Sequence, residues 1–298
     1  MTDHSARRLR HTAPLFFALL LAAGATPLRA QDPAIAPSPP QPQAASARRL
    51  SFSGGVDVLS SYMFRGIRQD DRGVIAWPAG EVGMVLFEGS GVLHSVGLNV
   101  GLWNSLHSGP TGRGGPTGKM WYESDFYTSL TFTGPGGVSL GTSYTAYLSP
   151  NQSFATVREV AFNVALDDSA RRLPLAPYAL VAIEIEGQAD GGTGRGTYLE
   201  LGVEPAVSAP SNRLRVFFPA KVGLSLKDYY EGPAGSSTFG FVEAGAVATV
   251  PLTFMPPGFG AWSVRGGVSV LGLGASLHSL NNGRRGKVIG LFGVSLAN

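Results

Sequence analysis

The side chains of this chain that could do chemistry are mostly charged groups set at alternate positions among apolar ones. Asp57 and Arg65 lie in the stretch 51–65, Glu123 and Asp125 in 119–133, and Glu200 and Glu204 in 197–208. Arg213, Arg215 and Lys221 follow in 213–227, and Arg265 in 261–271. Glu159, Glu184, Glu186 and Glu243 are further acids of the same alternating face, and Lys227 a further base. Acids dominate from 119 to 208, whereas bases gather in 213–227. Side chains so distributed around a narrow passage would set a transverse field and sort charged or polar solutes. The same groups could instead pair as a ladder, Glu200 and Glu204 against Arg213 or Lys221, which would stiffen or plug the passage. Arg65, between Phe64 and Gly66, could stand at a constriction or contact an anion or a lipid phosphate. The plainer reading ties it to a carboxylate such as Asp57 or Glu81.

Nucleophilic chemistry has thinner support. The chain has no Cys, which excludes a thiolate nucleophile, a thiolate metal site and a disulfide scaffold. Beyond the first thirty residues the histidines are His94, His107 and His278. His107 stands beside Ser105 and Ser108, and His278 beside Ser276 and Ser279. A hydroxyl near an imidazole is the start of an acyl-transfer site, but it needs an orienting third group. Ser-x-His spacings are common, no GxSxG elbow is present, and no cluster of ligands suggests zinc. The loop TGRGGPTGK (111–119) has the glycines of a phosphate loop but neither its GK[ST] ending nor a following helix. The expectation is therefore a protein without a cofactor and without a catalysed reaction. A lipid-acting barrel enzyme and a non-conducting structural or adhesion barrel are the rivals.

The elements that must position these groups have a period of 2. In 52–64 the even positions read Phe52, Gly54, Val56, Val58, Ser60, Tyr62, Phe64, and the odd ones Ser53, Gly55, Asp57, Leu59, Ser61, Met63. Successive side chains of a strand point to opposite faces, so this segment has an oily face and a wet one. The pattern recurs: Met120, Tyr122, Phe126, Leu130 and Phe132 oppose Glu123, Asp125, Ser129 and Thr131. The predicted strands are 51–65, 75–87, 92–104, 119–133, 137–148, 156–167, 177–186, 197–208, 213–227, 238–250, 261–271 and 286–297. Long connections such as 66–73, 105–118 and 273–286 alternate with short ones such as 88–91 and 208–212. An even number of half-apolar strands of about ten residues, with loops longer at one end, is the signature of an outer-membrane barrel. The predicted fold is all-β: a transmembrane, antiparallel, up-and-down β-barrel of about 12 strands over 51–298. Outer-membrane lipid and the barrel-assembly machinery are its expected partners.

Residues 1–30 read as a secretory signal peptide, with Arg7, Arg8 and Arg10 before the apolar run 14–25 and Ala30 at the cut. The leader holds four Arg and one Asp, leaving 19 of the 23 basic and 19 of the 20 acidic side chains. The formal charge of +3 thus belongs to the leader and gives no support to nucleic-acid binding. Residues 31–50, rich in Pro, Ala and Gln, read as a periplasmic arm with little to bury.

The stretch SSYMFRGIRQ (60–69) resembles the Ser-x-Tyr-x-Phe-Arg-Gly-Ile-x-Gln motif near the mature N-terminus of TorF-family porins of proteobacteria. Two further stretches agree with that family: VGLNVGLWNS (96–105), and WYESDFYTSL (121–130) followed by GVSLGTSYTAYL (137–148). The resemblance covers about 51–150 and implies an outer-membrane channel for small solutes or ions. The chain departs at its end, where Asn298 stands in place of the usual terminal aromatic, with Phe292 six residues earlier. That departure bears on recognition by the assembly machinery.

Overall fold

In the computed structural model the described residues are 49–109, 119–209, 213–232 and 235–298. The expected leader, residues 31–48 of the arm, and 111–118 of the glycine-rich loop lie outside them. The chain forms one closed wall of twelve antiparallel strands. They are β1 (Leu50–Leu59), β2 (Ile75–Glu88), β3 (Ser95–His107), β4 (Trp121–Thr133), β5 (Val138–Leu148) and β6 (Val157–Leu166). Then come β7 (Tyr178–Glu186), β8 (Thr197–Val203, resumed at Ala206–Ser208) and β9 (Arg215–Phe217, resumed at Ala220–Lys227). The wall ends with β10 (Phe239–Pro251), β11 (Ala261–Leu273) and β12 (Gly286–Ala297). Each strand pairs with its neighbours in the chain, and β12 returns to pair with β1 from Ser53↔Ala297 to Leu59↔Leu291. Asn298 extends this seam: its N–H donates to Phe52 O at 3.1 Å and its Oδ1 accepts from Phe52 N at 2.8 Å.

The wall is apolar outside and polar inside. Phe52, Val56, Val100, Leu102, Phe162, Val164, Val268 and Val270 point outward and are 39–54% exposed. Asp57, Ser129, Glu159 and Ser263 point inward and are 2–5% exposed. A soluble sandwich would bury the first set and expose the second. Closure leaves no strand edge, so every strand can satisfy its backbone groups without solvent, as a bilayer demands. Trp121 at the long-loop end and Phe254 and Phe259 at the short-turn end are at least 50% exposed, the placement of interfacial aromatics. Among the described residues the only α-helix is α1 (Leu277–Leu280), and no helix is long and apolar enough to cross a membrane.

The period-2 reading fails at four places, each for a local reason. Beyond Leu59 the chain leaves the wall. Tyr62–Phe64 and Ile67–Asp70 form a two-stranded ribbon that turns into the lumen, so Tyr62 and Phe64, expected on the oily face, are 0% and 5% exposed. The ribbon's tip is Arg65 (φ 47°) and Gly66 (φ 80°), the two left-handed residues that a tight primed turn requires. A bulge in β4 sets Tyr122 and Glu123 against Ser105 alone, turning Tyr122 inward as well. A register shift between β6 and β7 leaves Glu186 outside, paired with Arg158 on the surface. Prolines interrupt β8 and β9 at Pro205 and Pro219, where a missing N–H breaks the ladder. Arg213 lies on an exposed bend ahead of β9 rather than in a strand.

Candidate functional site

The ribbon brings Arg65 to the middle of the lumen, near its long-loop end, with 0% exposure. Its Nη1 and Nη2 donate to Glu159 Oε2 and Oε1 at 2.7 and 2.8 Å, a bidentate fork, and Nη1 also donates to Tyr229 Oη at 2.9 Å. The guanidinium lies 4.1 Å from the ring centre of Tyr198 and 5.1 Å from that of Tyr229. Glu159 belongs to β6, on the far side of the barrel from β1. The expected partners Asp57 and Glu81 are thus replaced by a carboxylate 94 residues away.

The backbone of the tip is satisfied too. Tyr230 Oη donates to Arg65 O at 3.1 Å, and Asn281 takes both Gly66 O (2.9 Å) and Arg68 N (3.2 Å). Tyr62 Oη donates to Glu123 Oε2 at 2.7 Å, and Tyr122 Oη to Gln69 Oε1 at 2.6 Å. Phe241 and Leu277, both 0% exposed, pack against Gly66 from the opposite side. The ribbon and its contacts fill this end of the lumen. Just past the ribbon, Asp71 ties it to the last loop and to the start of β12. Lys287 Nζ lies 3.0 Å from its carboxylate, Arg68 and Arg284 each 3.3 Å. Burial alone would raise the Asp71 carboxyl, but the Lys287 hydrogen bond and the three cations together hold it below 3.8.

Lower in the lumen Asp57 pairs with Arg265, and Lys221 with Glu200 and Glu243. Arg265 on β11 forks onto Asp57 on β1, with Nε donating at 2.8 Å, across the intervening β12. Gly293 of β12 is the residue crossed, and a Cβ there would overlap Asp57 Oδ1. Glu200 accepts from Tyr178 Oη at 2.6 Å and Tyr198 Oη at 2.7 Å. Lys221 stands 3.6 Å from both Glu200 and Glu243. The ladder alternative therefore holds for Glu200 and Lys221. Arg213 takes no part in it, and Arg215 lies exposed over the Phe217 ring at 4.7 Å. Lys227 is exposed at the long-loop end, not inward. Asp125 is buried on β4 beside Glu123, and Glu204 is buried at the short-turn end.

His107 meets Ser105, the hydroxyl its sequence neighbourhood offers, and also Asp70, a carboxylate that the sequence reading did not name. Ser105 Oγ lies 2.8 Å from His107 Nε2, and His107 Nδ1 lies 3.2 Å from Asp70 Oδ2, off the line of a hydrogen bond. The order hydroxyl–imidazole–carboxylate is that of an acyl-transfer site, yet all three are no more than 1% exposed. Asp70 also sits on the ribbon, so withdrawing the ribbon to admit a substrate would dismantle the set. The arrangement ties ribbon to wall. His94 is exposed in a short turn, and His278 sits in α1 with Nε2 3.3 Å from Leu273 O. Among the described residues no group of three or more His, Asp or Glu could hold a metal.

Beneath the ribbon lies a chamber of about 130 Å³ on the β8–β12 side. Its roof is Ser61 and Met63, its walls include Leu59, Trp77, Leu271, Ile289 and Lys221, and Glu204 and Phe217 stand toward the short-turn end.

These features define a closed twelve-stranded β-barrel with an apolar outer belt and a charged, partly filled lumen. Three solved structures are similar to the chain at low identity. The translocator domain of the autotransporter NalP from Neisseria meningitidis is 13% identical, with 85% of this chain and 90% of that one covered, at a TM-score of 0.39. The transport unit of the autotransporter AIDA-I from Escherichia coli is 10% identical, covering 85% and 92%, also at 0.39. The NanC porin is 11% identical, covering 83% and 98%, at the same score. No family model and no curated protein matches the chain.

Proposed function

We propose that the chain is an outer-membrane porin-like channel, of the kind represented by TorF-family porins, through which small charged or polar solutes diffuse passively. The observation that carries this reading is the inside-out wall, apolar outside and enclosing a lumen whose strands carry charged side chains inward. The leader at 1–30 exports the chain, both ends of the barrel wall face the periplasm, and the long loops face outward. No cofactor and no catalysed reaction belong to this reading. The ribbon is the stop at the outer end, and passage requires its displacement.

The filled outer end specifically favours one other reading, a structural barrel that never conducts. Swelling of proteoliposomes in small sugars and amino acids separates the two. A channel stopped by the ribbon gives slow swelling in the native protein and faster swelling in Arg65→Ala. A structural barrel gives none in either, with both proteins folded.

A further inference from the structure

We infer that the chamber beneath the ribbon is a binding site for a small uncharged solute with an apolar, ring-sized body and one hydrogen-bond acceptor. Neutral aromatic carbonyl compounds are the type. The inference deepens the reading of the lumen as a solute compartment and does not require that the barrel conduct.

Three observations lead there. At about 130 Å³ the chamber is close to the ~150 Å³ apolar cavity that takes a benzene ring, and Leu59, Met63, Trp77, Phe217, Leu271 and Ile289 give it an apolar lining suited to a ring. Into this lining comes Arg265, whose side chain is 3% exposed and whose Nη1 has no hydrogen-bond partner among the described residues. Its other nitrogens are engaged by Asp57. A buried donor left unmet is costly, and an acceptor on a ligand would satisfy it.

The third observation is the charge around the donor, which decides what kind of acceptor fits. Asp57 already neutralises Arg265, and Lys221 already stands between Glu200 and Glu243. Glu204 and Glu243 also line the space. An anionic ligand would enter a compartment whose cations are matched and whose carboxylates repel it. A carbonyl oxygen takes the Nη1 proton without that penalty.

The test is quenching of tryptophan fluorescence in the refolded barrel by 4-bromoacetophenone, a neutral ketone. The comparison probes are 4-bromotoluene, which has no acceptor, and 4-bromobenzoate, which is an anion. The inference expects saturable quenching by the ketone and at least about tenfold weaker binding of the other two. Trp77→Phe should remove the saturable component. Ser269→Phe, which fills the chamber without touching the Asp57–Arg265 pair, should abolish it while the barrel stays heat-modifiable. Unsaturable quenching alike for all three probes, which is partition into detergent, would overturn the inference. So would benzoate binding at least as tightly as the ketone. Saturable ketone binding by a barrel that passes no solute supports the site and removes only the channel reading, so the two failures are told apart.

Discussion

Arg65 concentrates the account in one residue. It holds a left-handed backbone, which costs a non-glycine residue of order 1–3 kcal/mol, and it persists because its guanidinium is locked on Glu159. Removing one partner of a buried pair leaves an uncompensated charge and costs about 3–5 kcal/mol. Arg65→Ala should therefore lower the urea midpoint of the folded barrel markedly, and Arg65→Gln with Glu159→Gln should recover part of the loss. An Arg65→Ala midpoint equal to that of the native protein would show that the pair contributes nothing. Gly293 gives a second residue-scale prediction. Gly293→Ser places a side chain where Asp57 meets Arg265 and should destabilise by about 1–3 kcal/mol, read from the same unfolding curve. The Phe-Arg-Gly sequence made Arg65 conspicuous, but its partner lay 94 residues away and no local pattern points across a lumen. Gly293 was invisible because its role is the absence of a side chain between two others.

At the scale of elements, the strands were legible and their interruptions were not. Eleven of the twelve predicted segments coincide with wall strands to within three residues at either end, counting the two that proline divides. Alternation is a property of six or more residues, so it survives one bulge or one proline. It also ran on through Tyr62 and Phe64, because a ribbon folded into a lumen alternates just as a wall strand does. Tyr122 shows the same blindness: a bulge shifts parity by one residue without leaving a mark on composition. The ribbon's tie to the last loop carries a pH prediction. Asp71 has a folded pKa below its ordinary 3.8, so its contribution is fully present above pH 3.8 and is lost as pH falls through the lower folded value. Hydrogen exchange of Gly283 and Arg284 in the last loop should accelerate below about pH 4 in the native protein, beyond the intrinsic change. In Asp71→Asn it should be fast and without that step. A native protein lacking the step would show that Lys287, Arg68 and Arg284 do not hold the loop.

The whole molecule is explained by its solvent. Apolar side chains exposed around a closed wall, with carboxylates and guanidiniums paired inside it, form a stable object only where the outer solvent is hydrocarbon. Depth then governs the cost of a charge on the outer face. Val100→Arg, near the middle of β3, should cost about 2–4 kcal/mol, and Leu50→Arg, at the end of β1, about 0–1, by unfolding from bilayers. Equal costs at the two depths would mean that the belt does not sit in lipid. This architecture was legible from parity and loop lengths alone. The state of the lumen was not, because the ladder of Glu200, Lys221 and Glu243 depends on register, which parity leaves open.

The most direct test of the channel is single-channel recording of the refolded protein in a planar bilayer, native and Arg65→Ala side by side. The account predicts discrete steps in both, brief and rare while the Arg65–Glu159 clamp holds the ribbon, and far more frequent once it is removed. Silence from both proteins, each folded and inserted, would contradict it.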